Sequence, residues 1–168
     1  WRRNFSRQRY LGKGICMARA PFEVLVYPYR KVHDGTFEYA LLKRSDAGYW
    51  QAIAGGGEDD ETPLEAAKRE AYEEAGIPTD SDFLQLDTRG SIPVTEFRDS
   101  YLWGDVLYVI PQYCFGVLVS DHPILLSCEH TDYRWLTYDE ASLRLTYDGD
   151  RTALWELEKR LRGHGPRG

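Results

Sequence analysis

Disulfide chemistry is the first thing this chain is not equipped for. Cys16, Cys114 and Cys128 are odd in number, widely spaced and without a CxxC pair, which points to the reduced thiols of a cytoplasmic protein rather than a disulfide framework. Long apolar runs are missing too. The most apolar stretch, 106–119, is interrupted by Pro111 and Gln112 and is rich in β-branched and aromatic residues, so it reads as a strand and not as a membrane span. Positive charge is in deficit: 21 Lys and Arg face 27 Asp and Glu, a net −6. Such a chain does not hold nucleic acid by bulk electrostatics. Internal repeats, low-complexity linkers and a signal peptide are also lacking. The first residue is Trp1 rather than Met, so processing, including loss of a leader, stays open.

What is present is the composition of a folded domain. Of 168 residues, 42% are hydrophobic and 29% charged, a balance unlike that of a disordered chain, and the length suits one domain rather than two. Charge is unevenly spread, because Arg2, Arg3, Arg7, Arg9, Lys13 and Arg19 occur in the first twenty residues with no acid among them. Residues 1–20 therefore read as a basic N-terminal extension and 21–168 as a single domain. The extension is expected to be a solvated terminus, with RNA, an anionic partner or the acidic body of its own or a neighbouring chain as alternative contacts. A homodimer is compatible with this reading.

Strand signals open the domain. Residues 22–29 and 37–44 are compact apolar and aromatic runs separated by the turn residues His33, Asp34 and Gly35, the pattern of a hairpin. A short strand at 50–53 leads into Gly55, Gly56 and Gly57. Thr62, with Glu65 three places on and Pro63 in the first helical position, is a helix start, and Gly76 followed by Pro78 is a stop. That spacing predicts a helix over 63–75 with Leu64, Ala67, Ala71 and Ala75 on its apolar side. Further strands are expected at 83–88, 106–119 and 133–136, a short helix at 139–144 and a closing helix at 151–161. The sum is a mixed α/β layered domain.

Within the helix lies the chemistry. Glu70, Glu73 and Glu74 stand at i, i+3 and i+4, which puts three carboxylates on one face within reach of a common point. Unrelieved, they repel; a hard divalent cation removes the repulsion, and oxygen ligands without His or Cys beside them select Mg²⁺ or Mn²⁺. A bound cation would also neutralise and activate a polyphosphate that the carboxylates alone would drive off. The bland alternative is a solvated acidic face, but such a face has no need of Gly55, Glu61, Arg69 and Gly76 at set offsets.

Those residues, with Glu70, Glu73 and Glu74, match the Nudix signature G-x5-E-x7-R-E-U-x-E-E-x-G-U at every invariant place. Background composition would give such a match on the order of once in a million chains of this size. Ala71 is the one departure, since the family prefers a bulkier aliphatic residue there. The resemblance implies the Nudix fold, a mixed β-sheet sandwiched between helices. It also implies Glu73 and Glu74 as principal metal ligands, Glu70 as a further ligand or the base for the attacking water, and Glu61 either at a second metal or paired with Arg69. The Ala54 carbonyl is a further candidate metal ligand.

Beyond the signature, the chain resembles the branch that hydrolyses dihydroneopterin triphosphate and dATP, over roughly 22–161. The likeness includes Trp50-Gln51 before the glycines, Glu129-His130 before Tyr133-Arg134-Trp135-Leu136, and a final helix containing Arg151. It implies a catalytic or metal-binding carboxylate at Glu129. The expected substrate contacts are Arg44, Trp50, Gln51 and Gly55. Arg44 is read either as a phosphate clamp or as a strand-end ion pair; Trp50, Trp103 and Tyr147 are stacking candidates weighed against ordinary packing. Cys128 and His130 lack the further ligands a zinc site needs, and Ser127 lacks the elbow of a nucleophilic serine. The resulting expectation is a Mg²⁺-dependent pyrophosphohydrolase of a nucleotide or pterin triphosphate. The alternatives are ADP-ribose, dinucleoside polyphosphate or capped RNA as substrate, and a non-catalytic nucleotide sensor.

Overall fold

Alternation along the first strand decides the architecture. In β1 (Arg19–Lys31) Val24 and Val26 face one side and Leu25, Tyr27 and Tyr29 the other, and all five are buried, as in a strand covered on both faces. The structure is a computed structural model and describes residues 19–120 and 122–165. The expected basic extension therefore lies outside the described residues except for Arg19 and Ala20, which open β1.

The hairpin forms as the turn residues dictate. β2 (Phe37–Arg44) pairs antiparallel with the end of β1, Tyr29 opposite Tyr39, and Gly35 takes φ 84 in the turn. β3 (Trp50–Gln51), β4 (Ile53–Glu58), β5 (Phe83–Pro93), β6 (Val109–Leu118) and β7 (His130–Leu136) complete a seven-stranded sheet. Its order is β3-β2-β1-β6-β5, with β4 on β1 and β7 on β2. β1 and β6 are parallel and the other pairs antiparallel, so the sheet is mixed. α1 (Pro63–Ala75) packs on the Val24 face, while α2 (Tyr138–Arg144) and α3 (Asp148–Leu161) cover the Leu25 face. This is the expected mixed sheet between helices. Among the described residues no helix is long and apolar enough to cross a membrane.

Several boundaries differ from expectation. β4 carries the strand through Gly55, Gly56 and Gly57, beyond the expected end at residue 53. β5 continues to Pro93 because a register shift between Gln85 and Arg89 lets it keep pairing with β6. Val106 and Tyr108, apolar by composition, stand outside the sheet and are largely exposed. In α1 the capping box of Thr62 and Glu65 forms and Gly76 ends the helix in the left-handed region, but Leu64 is 40% exposed and Ala66 takes its place on the sheet. Four alanines on the buried side bring the helix backbone close to β4. That closeness places the charged face of α1 against the glycine strand.

Candidate functional site

Arg69 organises the charges of α1. Its Nε and Nη2 donate to the two oxygens of Glu61 at 2.8 and 2.9 Å, Nη2 also donates to the Gly56 carbonyl at 2.8 Å, and Nη1 donates to Glu70 at 2.7 Å. Glu58 and Glu73 each lie 3.6 Å from the same guanidinium. Only a planar fork with several donors can serve so many oxygens at once. Of the two readings for Glu61, the structure places it with Arg69. On the strand beneath, a Cβ at Gly55 would fall 2.1 Å from Glu70 Cδ, so the missing side chain is what lets the Glu70 carboxyl rest on β4.

Glu74 points inward. Its side chain is 4% exposed, its carboxylate accepts a hydrogen bond from the Ala54 backbone, and its Oε2 has no hydrogen-bond partner. His130 Nε2 lies 3.8 Å from that oxygen, so the donor environment is not free of histidine as the sequence suggested. The loop that brings His130 is tied at both ends: Ser127 N–H donates to the Glu74 carbonyl at 3.1 Å and Ser45 N–H to the Glu129 carbonyl at 2.9 Å. Glu129 is thereby held between α1 and the end of β2, where its charge is felt by both Glu70 and Glu74.

Crowded, poorly solvated carboxylates resist ionising. Burial pushes Glu70 up to about 7, opposed by Arg69 and reinforced by Glu73 and Glu129. Glu74 is pushed well up by burial, with Glu70 and Glu129 adding to the rise and Arg44 opposing it. An unfolded chain ionises such a group near 4.5 and the folded chain near 7, so between those values the folded state holds more protons. Stability of the metal-free protein should therefore fall as pH rises from about 4.5 to about 7. Thermal melts in chelator are expected to show that decline, shallower in Glu70→Gln; identical profiles for the two proteins would mean that Glu70 is not desolvated.

The other expected residues divide. Arg44 is buried and pairs with Asp46 through Nε and Nη2 at 2.8 and 2.6 Å, the ion-pair reading, while still facing Glu74 and Glu129. Gln51 is buried opposite Leu42, on the α1 side of the sheet, and its Nε2 has no hydrogen-bond partner. Trp50 packs against the α3-side core with the Arg134 guanidinium 5.2 Å from its ring centre. Trp103 is engaged elsewhere, donating to the Arg19 carbonyl at 2.7 Å and meeting Phe97 edge-on. Tyr147 lines a cleft on the α3 side. Cys128 is exposed and His130 buried.

Three residues escaped the sequence reading. Arg19, counted with the basic extension, lays its guanidinium over Gly56, where a Cβ would come within 2.7 Å of Nε. Glu23 and Gln112 form a buried pair, Gln112 Nε2 donating to Glu23 at 2.7 Å. Their signal was a polar residue at a strand position where alternation demands a core side chain.

Acceptor-only oxygens, one of them buried with no donor, have the chemistry of a site for a hard divalent cation. With Arg69 holding Glu61 and Glu70, no three His, Cys, Asp or Glu side chains among the described residues are grouped to hold a metal.

Comparison with known proteins agrees with this fold. The NUDIX domain model matches residues 24–155. A dihydroneopterin triphosphate diphosphatase of Escherichia coli (strain K12) is 30% identical over 140 residues, 81% of this chain and 91% of the relative. An asymmetrical bis(5'-nucleosyl)-tetraphosphatase of Rattus norvegicus is 31% identical over 127 residues, 75% of this chain and 82% of the relative. A NUDIX hydrolase structure from Listeria monocytogenes has a TM-score of 0.77 at 39% identity, covering 86% of this chain and 96% of that one. The chain belongs to the NUDIX domain family.

Proposed function

We propose that this protein is a Mg²⁺-dependent hydrolase that cleaves a phosphoanhydride bond in a nucleoside triphosphate or dihydroneopterin triphosphate, releasing the monophosphate and pyrophosphate. The observation that carries the reading is the pair of desolvated carboxylates, Glu70 and Glu74, on one helix, both under the charge of Glu129, a crowding that a hard divalent cation relieves. Glu73 and Glu74 are the principal ligands, with Glu70, Glu129 and the Ala54 carbonyl as further ones. Glu61 takes part chiefly by holding Arg69. Mg²⁺, or Mn²⁺ in its place, supplies charge withdrawal from phosphorus and a more acidic bound water. Glu70, held on the same face by Arg69, is either that further ligand or the base that accepts a proton from the attacking water. Gln51 Nε2 and Arg44 offer donors to phosphate oxygens on the α1 side, Gly55 leaves the room on β4 that the Glu70 carboxyl takes, and Trp50, expected as a substrate contact, stands on the opposite face of the sheet. Free Cys114 and Cys128 agree with a reducing, cytoplasmic setting.

A dinucleoside polyphosphate is the second reading, favoured by the likeness to the rat tetraphosphatase. Assay of purified protein with Mg²⁺ against nucleoside triphosphates, dihydroneopterin triphosphate, diadenosine tetraphosphate, ADP-ribose and capped RNA, with product identification, separates these. Release of pyrophosphate from a triphosphate is expected, and absence of any metal-stimulated hydrolysis would refute the proposal. Glu129→Gln is expected to lower kcat by roughly 10²-fold with little change in KM. An unchanged kcat would make Glu129 a bystander.

A further inference from the structure

On its way from β6 to β7 the chain crosses the C-terminal end of α1, and the crossing decides where Glu129 stands. Over 122–128 the side chains alternate: Ile124 is buried and Leu126 packs on the α1-side core, while Leu125 between them is 64% exposed. The backbone N–H groups of Leu125 and Ser127 turn to the helix. Leu125 N–H donates to the Ala75 carbonyl at 2.9 Å and Ser127 N–H to the Glu74 carbonyl at 3.1 Å. Both acceptors belong to the last turn of α1, whose carbonyls have no donor within the helix. The segment supplies the donors, so the end of α1 is the template on which it lies.

Gly76 makes room for this crossing. It closes α1 at φ 68, and a Cβ there would lie 3.0 Å from Leu125 Cβ and 3.3 Å from Leu125 Cγ. A Cβ cannot swing aside as the end of a side chain can, so the backbone of the segment would have to lift and stretch its bonds to α1. Just beyond Ser127 comes Glu129, whose carbonyl accepts from Ser45 N–H at 2.9 Å. Glu129 is thus suspended between the end of β2 and the end of the helix that carries Glu70, Glu73 and Glu74.

We infer that Gly76 and Leu125 are positioning residues: by letting the segment seat on the Glu74 and Ala75 carbonyls, they set how close Glu129 comes to the glutamates of α1. Glycine at 76 then serves twice, in the left-handed backbone and in the space beside it, and only the second service reaches Glu129. The part given to Glu129 rests on the hydrolase reading above, whereas the seating can be measured without turnover. Gly76→Asn separates the two services, because asparagine tolerates the left-handed region but brings a Cβ. Its kcat is expected to fall roughly fivefold with KM little changed. Gly76→Asn with Leu125→Gly, which removes the obstructing atom, should recover kcat. In a Glu129→Gln background Gly76→Asn should cost nothing further, since its effect passes through Glu129. If Gly76→Asn folds poorly, Leu125→Pro, which deletes the donor to Ala75 at an exposed position, carries the same expectation. Hydrogen exchange in the metal-free protein reads the seating directly: the Ser127 amide should exchange on the order of tenfold faster in Gly76→Asn and return toward the wild-type rate in the double variant. A Ser127 amide as protected in Gly76→Asn as in the wild type, a kcat deficit that Leu125→Gly leaves in place, or one that adds in full to Glu129→Gln would overturn the inference. The expected exchange pattern in a protein that hydrolyses no substrate upholds the seating and defeats the hydrolase reading alone.

Discussion

Glu73→Gln is expected to reduce kcat/KM by on the order of 10³-fold while leaving the melting temperature of the metal-free protein nearly unchanged. Glu73 is part-exposed, with its carboxylate 3.6 Å from Arg69. A neutral amide of the same shape therefore takes away a cation ligand without opening a hole in the core. The pair of measurements matters because a loss of activity with a matching loss of stability would describe a damaged fold, whereas loss of activity alone describes a lost ligand. Magnesium titration followed by calorimetry supplies the independent check: affinity should drop with kcat/KM. Turnover close to that of the wild type would remove Glu73 from the site.

The second large effect is expected at Arg69. Its guanidinium touches Glu61, Glu70 and the Gly56 carbonyl and lies near Glu58 and Glu73; taking it away leaves four carboxylates repelling one another, strips Glu70 of the Arg69 donor and leaves Glu61 with the Glu58 N–H. Arg69→Leu should cost about 3 kcal/mol in the metal-free protein, the scale on which losing one partner of a desolvated charge pair is felt. Arg69→Lys should restore little, since a single ammonium cannot reproduce the bidentate grip on Glu61. Because the destabilisation arises from unbalanced negative charge, millimolar Mg²⁺ should return a large part of it. A melting temperature indifferent to Mg²⁺ in Arg69→Leu would show that cation and carboxylates do not meet.

Much of this was readable from spacing. The helix 63–75 is bounded as Thr62, Pro63 and Gly76 require, because caps act through local backbone geometry and need no tertiary context. The sheet between helices followed from alternating and periodic runs. Less legible were the features that depend on partners distant in the chain. Leu64 fits the helical stripe by spacing, yet the sheet reaches only as far as Ala66. Arg44 looked equally like a clamp or a pair until Asp46 was seen on its guanidinium. His130 could not be placed behind Glu74 by any local rule, since the contact is made by a loop spanning from α1 to β2. Glu23 and Gln112 are separated by 89 residues, and their pairing exists only because β1 and β6 run parallel.

The arginine at the centre of the acidic face has one more implication. An internal cation that already offsets the glutamates allows the chain to reach its native form before any ion arrives, unlike domains that fold only around their metal. Ion occupancy is then free to follow the surrounding concentration instead of being locked in during synthesis. On the proposed reading such a catalyst idles when magnesium is scarce and resumes when it returns, with no need to refold.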